Sequence, residues 1–276
     1  MSGLGLIFLR RGGQSHPTAG SDYIKFADAE VYRILMEKGV SADGVGITKE
    51  DAASVTDMAN WFLSNKTIVS FSELQYFTSL PLIGYTNFNE GGFANCSALI
   101  EVVLPSSVTY IGYKAFKDSG VTTINLDNIV TIKSAAFYNA ASLGGAIYAP
   151  NLSGELSQTF YNCSCESITN LGIVEKIGST NYETGVFENC KKLREATIPA
   201  TCQLLGRRTF YNCTSLKSVR VMATTPPSCD YASATFTGCP ADLKVYVPDD
   251  SLTAYQSATG WSNISDKLKP LSEYQG

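Results

Sequence analysis

Eight cysteines, a few adjacent carboxylates and a single histidine are the residues of this 276-residue sequence best suited to chemistry. Cysteine can serve as nucleophile, metal ligand or disulfide partner, but each role demands particular company. Zinc sites favour Cys-x-x-Cys pairs, whereas the closest pair here is Cys163-Ser164-Cys165. His16 is the sole histidine, so a multi-histidine metal site is excluded, and any Ser-His or Cys-His nucleophile would depend on that one residue. The acid pairs Glu50-Asp51 and Asp249-Asp250 stand where helices are expected to begin, which suits capping and the helix dipole. A glycosidase would need two carboxylates facing one cleft, and no such pair is evident. Ser41-Ala42-Asp43-Gly44 offers one carboxylate where a calcium loop would supply three side-chain oxygens. No catalytic residues, no metal site and no cofactor are therefore expected.

The positions of the cysteines point elsewhere. Phe93-Ala-Asn95-Cys96, Phe160-Tyr-Asn162-Cys163, Phe187-Glu-Asn189-Cys190 and Phe210-Tyr-Asn212-Cys213 repeat one frame, and each is followed by spaced apolar residues. Weaker copies begin at Phe116, Phe137 and Phe236, the last with Cys239 in register. Successive phenylalanines fall 23, 21, 23, 27, 23 and 26 residues apart, a period that marks a solenoid. Each unit is too short to bury its own apolar face and must stack on its neighbours. The Leu-x-x-Ile-x-Ile ending alternates like a half-buried strand, so stacking should create a parallel sheet with one short strand per repeat. Stretches such as Val108–Ile111 and Ile129–Ile132 add a second, irregular apolar ridge.

On this reading the cysteine position, filled elsewhere by Ser119 and Ala140, asks for a small buried side chain. Shared register alone does not satisfy disulfide geometry. The recurring asparagine is expected to bond backbone groups at a tight turn, and the Asn-Cys-Ser/Thr sequons at Asn95, Asn162 and Asn212 follow from that turn chemistry. Tyr138, Tyr161 and Tyr211 follow the repeat phenylalanine directly and form a stripe; stripes of this kind bind partners or glycans, or pack between repeats, and packing is the expected role.

The outward strand positions are expected to be Glu101 and Val103, Thr123 and Asn125, Gly145 and Ile147, Asn170 and Gly172, Glu195 and Thr197, Ser218 and Arg220, and Lys244 and Tyr246. Glu101, Glu195, Arg220, Lys244 and Tyr246 are the chemically distinctive members and the candidate partner-binding residues. They form no patch of single sign. The net charge of −4 lacks the basic face a nucleic acid requires, and no stretch has the apolar length of a membrane span.

Flanking segments differ in pattern. Residues 1–21 read as a flexible leader whose short run Leu4–Leu9, with Arg10-Arg11 behind it, has the wrong order for a secretory signal. Residues 22–78 read as a helical cap: Val31, Ile34 and Leu35 on one helix; Thr48 and Asp51 capping a second that carries Ala52, Val55, Ala59 and Phe62; Ser70 and Glu73 capping a third with Leu74 and Phe77. Repeats occupy 79–248, and 249–276 closes the array with a short helix and Trp261.

The frame Ile-Gly-x-x-Ala-Phe-x-x-Cys-x-x-Leu-x-x-Ile-x-Ile-Pro, matched in its first half by Ile111–Phe116 and in its second by Cys190–Pro199, resembles the BspA-type (Treponema-type) bacterial leucine-rich repeat. The resemblance implies an α/β right-handed solenoid with a helical N-terminal cap and a short C-terminal helical cap. It also implies a non-enzymatic, secreted or cell-surface adhesion module that recognises a host or neighbouring-cell protein or glycan through the sheet face. The absence of a recognisable export signal leaves open a structural or receptor-recognition part of a phage-type assembly.

Overall fold

The computed structural model describes residues 22–181, 184–229 and 232–275; the expected leader, with His16, lies outside them. From Phe62 to Phe236 the phenylalanine rings form one continuous stack, with successive centroids 5.2–5.7 Å apart. In the middle of the array the planes are nearly parallel, 3° between Phe137 and Phe160 and 3° between Phe160 and Phe187. Each ring plugs the gap between its own turn and the next. The stack begins in Phe62, which sequence pattern places on a helix. That helix, Lys49–Ser54, is capped by Thr48 and Asp51 as expected but ends eight residues earlier, and Phe62 instead opens the first turn of the solenoid.

Strands lie on two sides of the stack. One side carries a six-stranded parallel sheet in which Ala146–Tyr148, Ser167–Asn170, Glu195–Ile198, Ser218–Val221, Lys244–Val247 and Leu268–Pro270 pair in that order. The pair Ser70–Phe71 and Glu101–Val102 precedes it, so parallel strand pairing starts before residue 79. The other side carries Leu82–Ile83, Tyr110–Ile111 and Thr131–Ile132, then Ser153–Leu156, Ile173–Ile177 and Leu204–Leu205. The irregular apolar ridge is thus a second row of short parallel strands. The glycine that follows the inward Ile or Leu of this row is required because turns approach closely there. A Cβ on Gly112 would lie 2.3 Å from the Tyr85 carbonyl oxygen, and one on Gly206 would lie 2.4 Å from the Ser179 nitrogen.

Two registers differ from the sequence pattern. Ile147 points inward, buried between exposed Ala146 and Tyr148, because Gly144-Gly145 lengthens the approach to the strand. Ile168 and Leu171 are buried as expected, but Ile173 is 62% exposed and begins a strand of the second row. Consequently Ser167 and Thr169, not Asn170 and Gly172, flank the inward Ile168 on the outer face.

Turn chemistry is stricter than the sequence suggests. Asn95, Asp118, Asn139, Asn162, Asn189 and Asn212 all have φ between 55° and 62°, a left-handed conformation that asparagine and aspartate tolerate best among non-glycine residues. This turns the chain so that two backbone N–H groups per turn reach the following turn. Phe137 N donates to Thr159 O at 2.9 Å and Asn139 N to Tyr161 O at 2.8 Å; Phe187 and Asn189 repeat the pattern with Thr209 and Tyr211. Where sequence leads one to expect bonds to backbone, the asparagine side chains bond other side chains, Asn95 those of Ser64 and Glu90 and most of the rest the turn residue of the adjacent repeat. Asn162 donates to Asn139 at 2.6 Å, Asn139 to Asp118 at 2.6 Å, and Asn212 to Asn189 at 2.7 Å.

The repeat cysteines are also more than small. Each thiol points at the carbonyl of the phenylalanine one turn back: Cys96 to Phe62 at 3.0 Å, Cys163 to Phe137 at 3.3 Å and Cys190 to Phe160 at 3.1 Å. Cys213 and Cys239 reach Phe187 and Phe210, both at 3.1 Å. Serine is a poor substitute at this site. The Ser119 hydroxyl is buried with no hydrogen-bond partner.

The ends are closed by different means. Helix Ala29–Glu37, capped by the Asp28 carboxylate, buries Val31, Ile34 and Leu35. Ser70 does not cap a helix; it lies in a strand, and Glu73 in the following 3-10 turn accepts from the Ala27 nitrogen at 2.9 Å. At the other end Trp261 is fully buried, donates to Pro227 O at 2.8 Å and meets Tyr255 edge-on at 5.0 Å. Asp249 caps no helix by side chain; it accepts from the Ser272 nitrogen at 2.9 Å and so ties down the segment after the last strand.

Two substitutions test these interactions. Ser119→Cys should raise stability by about 1 kcal/mol, read by denaturant titration, because it supplies a thiol donor and removes an orphaned hydroxyl. Phe160→Ala, which interrupts the ring stack between two nearly parallel neighbours, should cost roughly 3–5 kcal/mol in the same measurement.

Candidate functional site

Because turns stack in register, outward side chains of successive strands align across the six-stranded sheet. Glu195, Ser218 and Lys244 form one row; Thr197, Arg220, Tyr246 and Lys269 form the next. Before the strands stand Glu166, Arg194 and Lys217, brought into line by the bonds Arg194 N to Glu166 O (2.8 Å) and Lys217 N to Arg194 O (2.7 Å). The first row and the residues before the strands line an open groove of ≈ 570 Å³ together with Asp242, Tyr246, Tyr274 and Gln275. Its charges alternate: Glu166, Glu195 and Asp242 against Arg194, Lys217 and Lys244. Lys217 contacts Asp242 at 3.1 Å and holds that carboxyl below its ordinary pKa, yet both side chains are more than 60% exposed and free to exchange partners.

Of the five candidate residues, the structure brings four together. Glu195, Lys244 and Tyr246 line the groove, and Arg220 lies beside them in the second row. Glu101 is elsewhere, on a short strand of the first turns, where its carboxylate accepts from Ser70 at 3.0 Å. Tyr246 faces outward but is only 7% exposed, because the segment following Leu268–Pro270 folds back over the sheet. Tyr274 from that segment meets the Tyr246 ring edge-on at 5.1 Å, lies under the Arg220 guanidinium at 4.7 Å and donates its hydroxyl to Glu195 at 2.9 Å. Burial and the Glu195 carboxylate raise its phenol pKa. Nothing in the strand pattern marks Tyr274; its only sequence signal is the contiguity of a strand-like Leu-Lys-Pro with a closing tyrosine.

The tyrosine stripe is partly internal packing. Tyr138 and Tyr161 stack face to face at 4.4 Å, and Asn189 donates to the Tyr161 hydroxyl at 3.1 Å. The next turn has Glu188 in place of tyrosine. Its buried carboxylate pairs with Arg208, whose guanidinium in turn lies 3.8 Å from the Tyr211 ring. In the N-terminal loop Asp43 is engaged by its own turn, accepting from Val45 N at 2.8 Å, from Ser41 at 3.0 Å and from the Tyr23 hydroxyl. These bonds, that from Tyr23 first, hold its carboxyl well below the usual range. Among the described residues no cluster of three or more His, Cys, Asp or Glu side chains is placed to hold a metal.

None of the eight cysteines is in a disulfide. Burial pushes Cys96 and Cys202 up to about 12 and Cys239 up to about 11, and drives Cys163, Cys190 and Cys213 well above the ordinary thiol value. The repeat thiols are hydrogen-bond donors of the scaffold and remain protonated. No helix among the described residues is long and apolar enough to cross a membrane.

A stacked Phe-x-Asn-Cys turn with parallel strands on the sheet side defines a leucine-rich-repeat solenoid. The BspA type leucine rich repeat region matches residues 69–185 and 180–259 in six copies, and the chain belongs to that family. Such repeats are generally non-enzymatic protein-binding modules. Among solved structures, the chain is similar to a leucine-rich repeat protein from Bacteroides ovatus ATCC 8483 at 15% identity. That match covers 70% of this chain and 76% of the other, with a TM-score of 0.24. It is also similar to a leucine rich cell surface protein from Faecalibacterium prausnitzii A2-165 at 16% identity, covering 64% of this chain and 62% of that one, with a TM-score of 0.28. No curated protein matches the chain.

The state of the thiols is directly measurable. In the native protein at pH 8, a thiol reagent such as Ellman's should label Cys239 first and the other seven only at the rate of unfolding, whereas all eight should react at once in denaturant. Rapid native labelling of Cys163, Cys190 or Cys213 would contradict their burial.

Proposed function

We propose that the protein is a recognition module working at or outside a cell surface, and that it binds a protein partner through the groove on its six-stranded sheet. One observation carries this reading: six charged side chains of alternating sign, from successive turns, line one open groove beside a cluster of aromatic rings. Alternating charge suits a partner surface of complementary pattern and rejects one of uniform sign. The aromatic and arginine neighbours supply the residue types that dominate protein-binding energetics. In this arrangement residues 22–78 cover the apolar start of the array and 249–275 its finish, leaving the sheet face for contact. Glu101, remote from the groove, would mark a secondary contact on the first turns.

The test is binding of the purified chain to an array of extracellular-matrix and cell-surface proteins, beside the double variant Lys217→Glu, Lys244→Glu. Both lysines are exposed, so the variant should keep its circular dichroism and melting point. Saturable binding weakened tenfold or more by the charge reversal is the expected result. Binding that ignores the reversal, or a well-folded protein that binds nothing, would sink the proposal.

A further inference from the structure

The Tyr274 side chain occupies a seat that the sheet alone builds. Three residues on three adjacent strands supply it, and each contacts a different part of the phenol. The Glu195 carboxylate accepts the hydroxyl at 2.9 Å, Arg220 covers the ring at 4.7 Å, and Tyr246 presents a ring at 77° to it. Arg220 is held in place independently, donating to the Thr197 hydroxyl at 2.8 Å. The seat is therefore a matched set for one chemical group: a hydroxyl-bearing aromatic ring, with a hydrogen-bond acceptor at its tip and a cation over its face.

The occupant is carried by one short turn, whereas the seat is built on three paired strands. The segment carrying Tyr274 is a single 3-10 turn, Leu271–Glu273, whose Ser272 and Glu273 are exposed. Besides the phenol, the segment is anchored at one point, the Asp249 carboxylate, which accepts from Ser272 N at 2.9 Å and also engages the Ser272 side chain and the Leu271 backbone. Tyr274 and Gln275 also form one wall of the groove, so lifting the segment would join seat and groove into one continuous surface.

We propose that this seat recognises a tyrosine in a peptide segment of the partner protein, and that Tyr274 holds it closed until the partner displaces it. The inference rests on the groove being the binding surface and adds the chemistry of its anchor. Apparent affinity for the partner is then reduced by the fraction of molecules with the seat filled, and freeing the seat restores it.

The probe is a fluorescent peptide with the protein's own sequence from Leu268 to Gln275, titrated by anisotropy against full-length wild type and the full-length Tyr274→Ala variant. The variant should bind the peptide about tenfold or more tightly than wild type. Changing the peptide's tyrosine to alanine, or adding Arg220→Ala to the protein, should each remove most of the gain. Tyr274→Phe serves as a second variant, since it keeps the ring and loses only the Glu195 bond; it should bind the peptide between the two. If Tyr274→Ala melts differently from wild type, the order of affinities across wild type, Tyr274→Phe and Arg220→Ala decides. Equal affinity of wild type and variant, or binding indifferent to the peptide's tyrosine or to Arg220, overturns the proposal. If the peptide fails while lysine-sensitive binding to the array persists, the groove stands and the tyrosine seat does not. If both fail, the recognition reading falls with it.

Discussion

The left-handed turn residue two places after each phenylalanine is the constraint on which the rest of the molecule depends. With φ near 60° at Asn139 or Asn189, the backbone bends so that its own N–H and that of the phenylalanine two residues before it both reach the next turn. That pair of bonds fixes the spacing between turns. Fixed spacing in turn sets the ring stack at 5.2–5.7 Å, the thiol beneath each phenylalanine carbonyl and the strand register across the sheet. A residue unable to adopt this conformation would disturb all of these at once. Asn, Asp and Gly alone occupy the position from Phe93 onward, with Ser64 in the first turn.

Much of this was legible in the sequence, because stacking makes each unit repeat the same solution. The Phe-x-Asn-Cys frame, its period and the inward Leu and Ile positions translate directly into the observed turns. Ile147 and Ile173 did not, since an inserted Gly-Gly and a 27-residue turn shift the chain while leaving the local hydrophobic pattern intact. Phe62 was read as helical because apolar spacing cannot distinguish a helix face from the first ring of a stack. The thiol donors were invisible for a subtler reason. Smallness and hydrogen bonding both select cysteine, and only the orphaned Ser119 hydroxyl separates them.

The candidate surface was half legible. Alternation along strands placed Glu195, Arg220, Lys244 and Tyr246 on one face, and the parallel register brought their rows together. Their environment came from contacts that are remote in sequence: Tyr274 lies 79 residues from Glu195 yet sets its hydrogen bonding and covers Tyr246. A repeat pattern describes what each turn shares. A binding surface is made from what the turns do not share, and from the flanking segments that lie across them.

The thiol ladder also bears on where such a protein can work. Most extracellular domains of modest core draw on disulfides, and so fold only where oxidants are available. Here no cysteine is in a disulfide, and five of them are committed to carbonyl groups inside the stack. Burial suppresses the thiolate that both oxidation and disulfide exchange require. The scaffold consequently asks nothing of the redox state around it: one set of turns holds in a reducing cytoplasm and in oxidising surroundings, with no covalent cross-link to make or break in passing between them.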